Sequence, residues 1–271
     1  MRTSDRGHWD RFWTRGRETR EIYDNAGRIT GEIALAMDVR GRACLEVGAA
    51  TARDTAALAR AGAFAVALDY SPAALSIARD VCRGTGATLV CGDAFHLPFS
   101  DGSFDLVFHQ GVLEHFRKPS GLLDENRRVL SASGLVLVDV PQTFHPYTAV
   151  KKILIAAGAW FAGWETQFTR RSLETLLRRS GLAPCRAYGR FMSPSLSYRI
   201  LREILFRAGV RLPLDPVLVG PVHRLRARVR TAVEGTRAGP ALGYVIGVFA
   251  GRGPRPGDRA AAPSESGRDA P

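Results

Sequence analysis

The chain has 271 residues, of which 45% are hydrophobic and 24% charged, and carries a net charge of +12. Such a chain can bury a substantial core in one large α/β domain or two small ones, and its composition excludes a disordered or fibrous protein. The basic excess points toward nucleic acid or an anionic membrane, yet every basic residue except Lys118, Lys151 and Lys152 is arginine, a skew that a GC-rich genome produces without selection for binding.

Taken in order, the first residues, MRTSDRGHWDRFW, are charged and lack the apolar core of a secretory signal. Aromatics (Trp9, Phe12, Trp13, Tyr23) stand among charges through residue 30 and predict a helical cap over residues 1–40 that lies on another part of the molecule. From 43 to 140, strand-like runs ACLEV, FAVALD, ATLVCGD, FDLVFHQ and GLVLVDV alternate with helix-like TARDTAALARAG, SPAALSIARDVC and KPSGLLDENRRVL. Continuous apolar strands separated by amphipathic helices indicate a parallel sheet covered on both faces. Ser71-Pro72 supplies an N-cap and a first-turn proline, Asp54 places a carboxylate in another first turn, and Gly134 is expected to reset the chain after the helix ending near 131.

Beyond the fifth strand, residues 150–168 combine two lysines with an apolar, aromatic-rich stretch. Its longest uncharged run, ILIAAGAWFAGW at 153–164, is 12 residues, well short of the roughly 20 that span a bilayer. TRRSLETLLRRSGL (169–182) reads as an amphipathic helix capped by Thr169, and APCRAYGR and GYVIGVFAGR (243–252) as strands. The connection between those strands is far longer than usual, so an added helical subregion is expected at about 192–240, with helices near 195–208 and 216–234. Residues 253–271, rich in Pro, Gly, Ser and Arg, read as a disordered tail. Cys44, Cys82, Cys91 and Cys185 form no CxxC pair, which suggests neither zinc nor disulfides and fits a reducing, cytoplasmic setting.

The chemistry begins at ACLEVGAATARDT. Gly48 ends the first parallel strand, where ligands bind in open α/β sheets. Against the dinucleotide pattern GxGxxG only the first glycine is kept, and Ala50 and Arg53 stand where backbone would approach a pyrophosphate and where the helix would pack on the strand. That argues against NAD or FAD. Asp69 nevertheless ends the second strand at the distance expected of a ribose-binding acid, with capping of the next helix as the competing role. Asp93 follows the third strand and opens an apolar loop (Ala94, Phe95, Leu97, Pro98, Phe99), a setting that suits an adenine ring. Three strand ends together describe an adenosine without a pyrophosphate.

These motifs resemble the class I S-adenosylmethionine-dependent methyltransferases, in particular the small-molecule group related to the ubiquinone-pathway enzymes. LEVGAATARDT is similar to their first motif, ALDYSPAAL to the second, and CGDAFHLPFSDGSFDLVFHQGVLEHF to the third and fourth. The resemblance implies a Rossmann-like fold with a mostly parallel seven-stranded sheet over residues 41–252 and the added helical subregion before the last strand. It implies S-adenosyl-L-methionine as cofactor, with Glu46, Gly48 and Ala50 at the methionyl side, Asp69 and Tyr70 at the ribose, Asp93 and Ala94 at the adenine, and His109 and Gln110 near the sulfonium. The chain departs from the quinone-type Glu-x-x-Glu-His metal motif at Gly111, so no metal is expected, and it lacks the Asn/Asp-Pro-Pro-Tyr motif of nucleic-acid amino-methyltransferases.

Methyl transfer to a hydroxyl benefits from a general base. His109 and His115 are the candidates, with His145 a third; each also has a plain packing or capping role open to it. Segments 150–168 and 195–209 admit two readings, a lid over a lipid-like acceptor resting on an anionic membrane, or core helices whose arginines reach to water. The sequence therefore predicts a cytoplasmic methyltransferase of a small organic or lipid-linked acceptor, peripheral to the membrane if the first reading holds. A nucleic-acid methyltransferase or binder and a non-catalytic cofactor-binding protein are the alternatives. The oligomeric state is not legible.

Overall fold

The computed structural model describes residues 6–14, 27–158, 160, 163–191, 195–207, 209–213, 228, 232–234, 236 and 239–254. Helices α1 (Arg6–Thr14) and α2 (Arg28–Ala36) precede β1 (Ala43–Val47), α3 (Arg53–Arg60), β2 (Phe64–Asp69), α4 (Pro72–Val81), β3 (Thr88–Cys91) and β4 (Phe104–Gln110). After a 3-10 turn at Leu113–His115 come α5 (Ser120–Val129), β5 (Leu130–Pro141), α6 (Pro146–Ala156), α7 (Arg170–Arg179), β6 (Leu182–Arg190), α8 (Leu196–Arg207), α9 (Gly239–Leu242) and β7 (Val245–Arg252). The seven strands form one sheet in the order β3-β2-β1-β4-β5-β7-β6. Pairings among β1 to β5 are parallel, while β7 runs antiparallel to both β5 and β6.

Alternation along each strand divides the core into two layers. Leu45, Val47, Val107, Val136, Val138, Ile246 and Val248 face α5 and α7, whose Leu122, Leu123, Leu173 and Leu177 are buried against them. On the other face Cys44, Leu106, Phe108, Leu137 and Phe249 meet Ile29 and Ile33 of α2 and Leu58 of α3. The order reverses at β1, between β2 and β4, so the crevice outside the carboxyl ends of these strands is where this topology places a ligand.

Local signals largely act as expected. The Ser71 hydroxyl accepts from Ala74 N and Pro72 opens α4, and Thr169 and Ser172 form a reciprocal capping box on α7. Gly134 acts differently. The chain leaves α5 through Leu130, in extended conformation at φ −72°, ψ 135°, and Gly134 lies inside β5. A methyl group at Gly134 would stand 2.8 Å from Leu130 Cδ1 and 3.0 Å from the Asp105 carbonyl, so close packing, not chain reversal, requires glycine there.

Helix α6 is inverted relative to ordinary amphipathic packing. It buries Thr148 and Lys151 and exposes Val150 and Ile153. Lys151 is therefore no free surface cation: its ammonium pairs with buried Glu165, which also accepts from Trp160 Nε1 at 2.6 Å. In α8, Leu201 and Ile204 are likewise exposed. Most of the helix expected at 216–234, and the tail from 255 onward, lie outside the described residues.

Candidate active site

The turn from β1 into α3 builds one wall. Gly48 N and Ala49 N both donate to the Leu68 carbonyl, at 2.8 and 3.0 Å, tying the turn to β2. Gly48 has φ 67°, and Ala50 and Ala52 take left-handed conformations at 48° and 52°, values that normally favour glycine. A Cβ at Gly48 would meet Val112 Cγ2 at 2.6 Å, so the cleft floor at this point depends on a missing side chain.

Asp69 closes β2. Its Oδ2 accepts from Ala50 N at 2.8 Å and its Oδ1 from Ser71 N at 2.9 Å. Burial pushes the carboxyl pKa up, and these backbone N–H groups pull it back. The side chain thus fixes the turn, and each oxygen keeps a second lone pair for a ligand. Asp93, exposed after β3, accepts from Phe95 N at 2.9 Å and pairs with His96 Nδ1 at 3.2 Å.

Gly48, Ala50, Asp69, Tyr70, Asp93, Ala94 and Gln110 converge on one cavity of about 230 Å³. Leu68, Gly92, Gly111, Val112, His115 and Phe116 complete its walls, with Trp9 and Trp13 of α1 on its remaining side. Helix α1 is held there by Asp10, whose carboxylate accepts from the Ser71 hydroxyl at 2.5 Å, at the N-terminus of α4 where a negative charge is favoured. Trp9 also meets the His115 ring edge-on, with centroids 5.0 Å apart. Trp9 and Trp13, like Leu68, Gly92, Gly111, Val112 and Phe116, are lining residues that sequence reasoning did not assign to the site. The aromatics scattered among charges before residue 30 announced that this segment lies on something, without saying on what.

Two expected site residues do not line the cavity. Glu46 is buried and its carboxylate accepts from Thr55 N at 2.9 Å and from the Thr55 hydroxyl, fastening β1 to α3; desolvation drives its pKa up. His109 is fully buried in the sheet, and both ring nitrogens lack a partner. Desolvation lowers its pKa to about 4, and the ring is not among the residues lining the cavity. The sequence predicts His109 as a base or cofactor contact, whereas the described lining of the cavity does not include it. His145 is occupied as the cap of α6, its Nδ1 accepting from Tyr147 N at 3.2 Å. Of the three histidines only His115 reaches the cavity. Its pKa is lowered, chiefly by burial, and its Nδ1 has no partner. Neighbouring Glu114 is buried with its Oε2 unpaired, and desolvation, followed by the charge of Glu165, raises its pKa to about 8.

Residues 45–138 match the family described as a methyltransferase domain. The chain as a whole has the class I S-adenosylmethionine-dependent methyltransferase fold. It superposes on such an enzyme from Thermotoga maritima with a TM-score of 0.62, covering 91% of this chain and 99% of that one at 17% identity. It also superposes on 1,6-didemethyltoxoflavin-N1-methyltransferase from Burkholderia thailandensis, solved with its substrate and S-adenosylhomocysteine, with a TM-score of 0.56 at 17% identity over 92% and 87% of the two chains. Among curated relatives, demethylmenaquinone methyltransferase from Clavibacter sepedonicus is 36% identical over 116 residues, 42% of this chain and 47% of that protein. The chain thus spans about half the length of that relative.

Proposed function

We propose that the protein is an S-adenosylmethionine-dependent methyltransferase acting in the cytoplasm on a small organic or lipid-linked acceptor. Residues 41–252 form the catalytic domain, with residues 1–40 as its cap. The observation that carries this reading is the charge of the cavity wall: among the described residues it contains the carboxylates Asp69 and Asp93 and neither lysine nor arginine. A pyrophosphate would be repelled there, whereas a phosphate-free nucleoside bearing a sulfonium and an ammonium group is electrostatically matched. The wall chemistry fits S-adenosylmethionine, which when bound supplies an electrophilic methyl group.

The chain's own residues then divide the work. Asp69, already oriented by two backbone N–H groups, accepts from the ribose hydroxyls with Tyr70 beside it. Asp93 and Ala94 take the adenine, whose faces Leu68 and Phe116 cover. Gly48, Ala50 and Gln110 face the methionyl end, and His115 receives the proton of an acceptor hydroxyl at its ring. Trp9 and Trp13 shield one side of the cleft from water, which favours displacement over hydrolysis. The relatives named for demethylmenaquinone and 1,6-didemethyltoxoflavin support a small-molecule acceptor. The exposed apolar residues within 150–168 and 195–209 support a lipid-linked one presented at a membrane.

Calorimetry with S-adenosylhomocysteine tests the assignment. The parent should bind, and Asp69→Asn and Asp93→Asn should each weaken binding about tenfold or more, since a hydrogen bond to a charged group is lost. Variants that bind as the parent does, or a parent that does not bind, would remove the cofactor from this cleft.

A further inference from the structure

Helix α6 presents an apolar stripe to the outside. Ala149, Val150, Ile153, Ala156 and Ala157 recur at the spacing of one helix face and are all exposed. Ile153 is 69% and Val150 43% accessible, and Phe144, just ahead of the helix, is 76% accessible. An apolar face turned outward on a helix that buries a lysine is the reverse of what folding alone selects, and it marks a contact surface.

Charge decides between the occupants. From Gln142 to Trp164 the sequence has no Asp or Glu, and exposed Lys152 borders the stripe. A symmetric pairing of two copies would set this patch against itself and bring Lys152 toward its own counterpart with no acid in the segment to offset it, on a chain whose net charge is already +12. An anionic bilayer meets both demands, accepting apolar side chains at the level of its headgroups and attracting the lysine.

We propose that α6 with Phe144 docks on an anionic lipid surface and thereby sets the acceptor end of the cleft against the membrane. The part concerning the acceptor rests on the methyltransferase reading. The connection is short and built of named contacts. Lys151 of α6 pairs with Glu165, Thr166 N donates to the Glu114 carbonyl at 2.8 Å, and the next residue, His115, lines the cavity. The docked helix therefore braces the loop beside the proposed base, and the acceptor class that fits is a membrane-partitioned compound with a methylatable polar head.

Vesicle flotation tests this with the full chain, without cofactor. Vesicles of three parts phosphatidylcholine to one part phosphatidylglycerol should carry the parent, and pure phosphatidylcholine should carry less. Ile153→Ser or Phe144→Ser should lower partitioning about tenfold, and Lys152→Glu about fivefold on the mixed vesicles alone. All three residues are exposed, so the melting temperature should stay that of the parent. A parent that does not float, or variants that float equally well, would overturn the proposal, as would a concentration-dependent dimer abolished by Ile153→Ser. S-adenosylhomocysteine calorimetry on the same samples separates the two readings. Cofactor binding without flotation sinks only the lipid contact, and flotation without cofactor binding leaves the contact and sinks the acceptor route.

Discussion

Ala50 and Ala52 hold left-handed backbone conformations, φ 48° and 52°, in the turn that also presents Ala50 N to Asp69. An L-residue is strained there by roughly 1–2 kcal/mol, so the turn keeps the shape of a glycine-rich loop without the glycines. The two positions should respond differently to Gly. Ala50 is half-buried, and Ala50→Gly is expected to add about 0.5–1 kcal/mol, the strain relief less the entropy gained by the unfolded chain, or roughly 1–4 °C in melting temperature. Ala52 is fully buried, packed with Ala49, Ala56 and Ala78, and losing its methyl costs about 0.8 kcal/mol, so Ala52→Gly should be close to neutral. Thermal denaturation measures both, and a loss of stability in Ala50→Gly would show that the turn is unstrained. The sequence gives the identity of these residues but not their backbone angles, and so the departure from the glycine pattern read as a possible opening for a different ligand when its first cost is conformational.

Among the elements, the strands were the most legible part: Ala43–Val47, Phe64–Asp69 and Phe104–Gln110 coincide with the runs picked out by their continuous apolar character. A buried parallel strand has only that one pattern to show. Helix α6 was not legible in the same way, because its apolar residues point outward and its lysine inward, and composition alone does not tell the two faces apart. The placement of α1 depends on a contact spanning 61 positions, Asp10 to Ser71, which no local pattern encodes. That placement has a direct optical consequence. With Trp9 and Trp13 lining the cavity, S-adenosylhomocysteine should change the intrinsic tryptophan fluorescence, and the change should shrink in Trp9→Phe and Trp13→Phe. Trp13→Ala should in addition weaken binding about tenfold, given the apolar area a tryptophan covers. A fluorescence response that persists unchanged in both Phe variants would place α1 away from the ligand.

At the scale of the whole molecule, buried titratable groups limit stability from both sides of neutrality. Glu114 has a folded pKa of about 8 against an ordinary value of 4.5, because burial disfavours its carboxylate. Between those two values the folded state binds more protons than the unfolded state, so this group makes stability fall as pH rises from about 4.5 to about 8. His109 has the opposite sign. Its pKa is about 4 in the folded state against 6.5, so the unfolded state binds more protons in that window and stability falls as pH drops through it. Glu114→Gln mimics the protonated acid, and should match the parent below about pH 4.5, exceed it by about 2 kcal/mol near pH 6 and by on the order of 4–5 kcal/mol near pH 9. His109→Leu removes two buried nitrogens that have no partner and should be more stable than the parent at pH 5 by about 1–3 kcal/mol, with its affinity for S-adenosylhomocysteine unchanged because the ring lies off the cavity. Melting curves from pH 5 to pH 9 read both limbs. If Glu114→Gln ran parallel to the parent above pH 6, Glu114 would not be the group that titrates, and if His109→Leu lost cofactor affinity, the ring would have to approach the methionyl end after all.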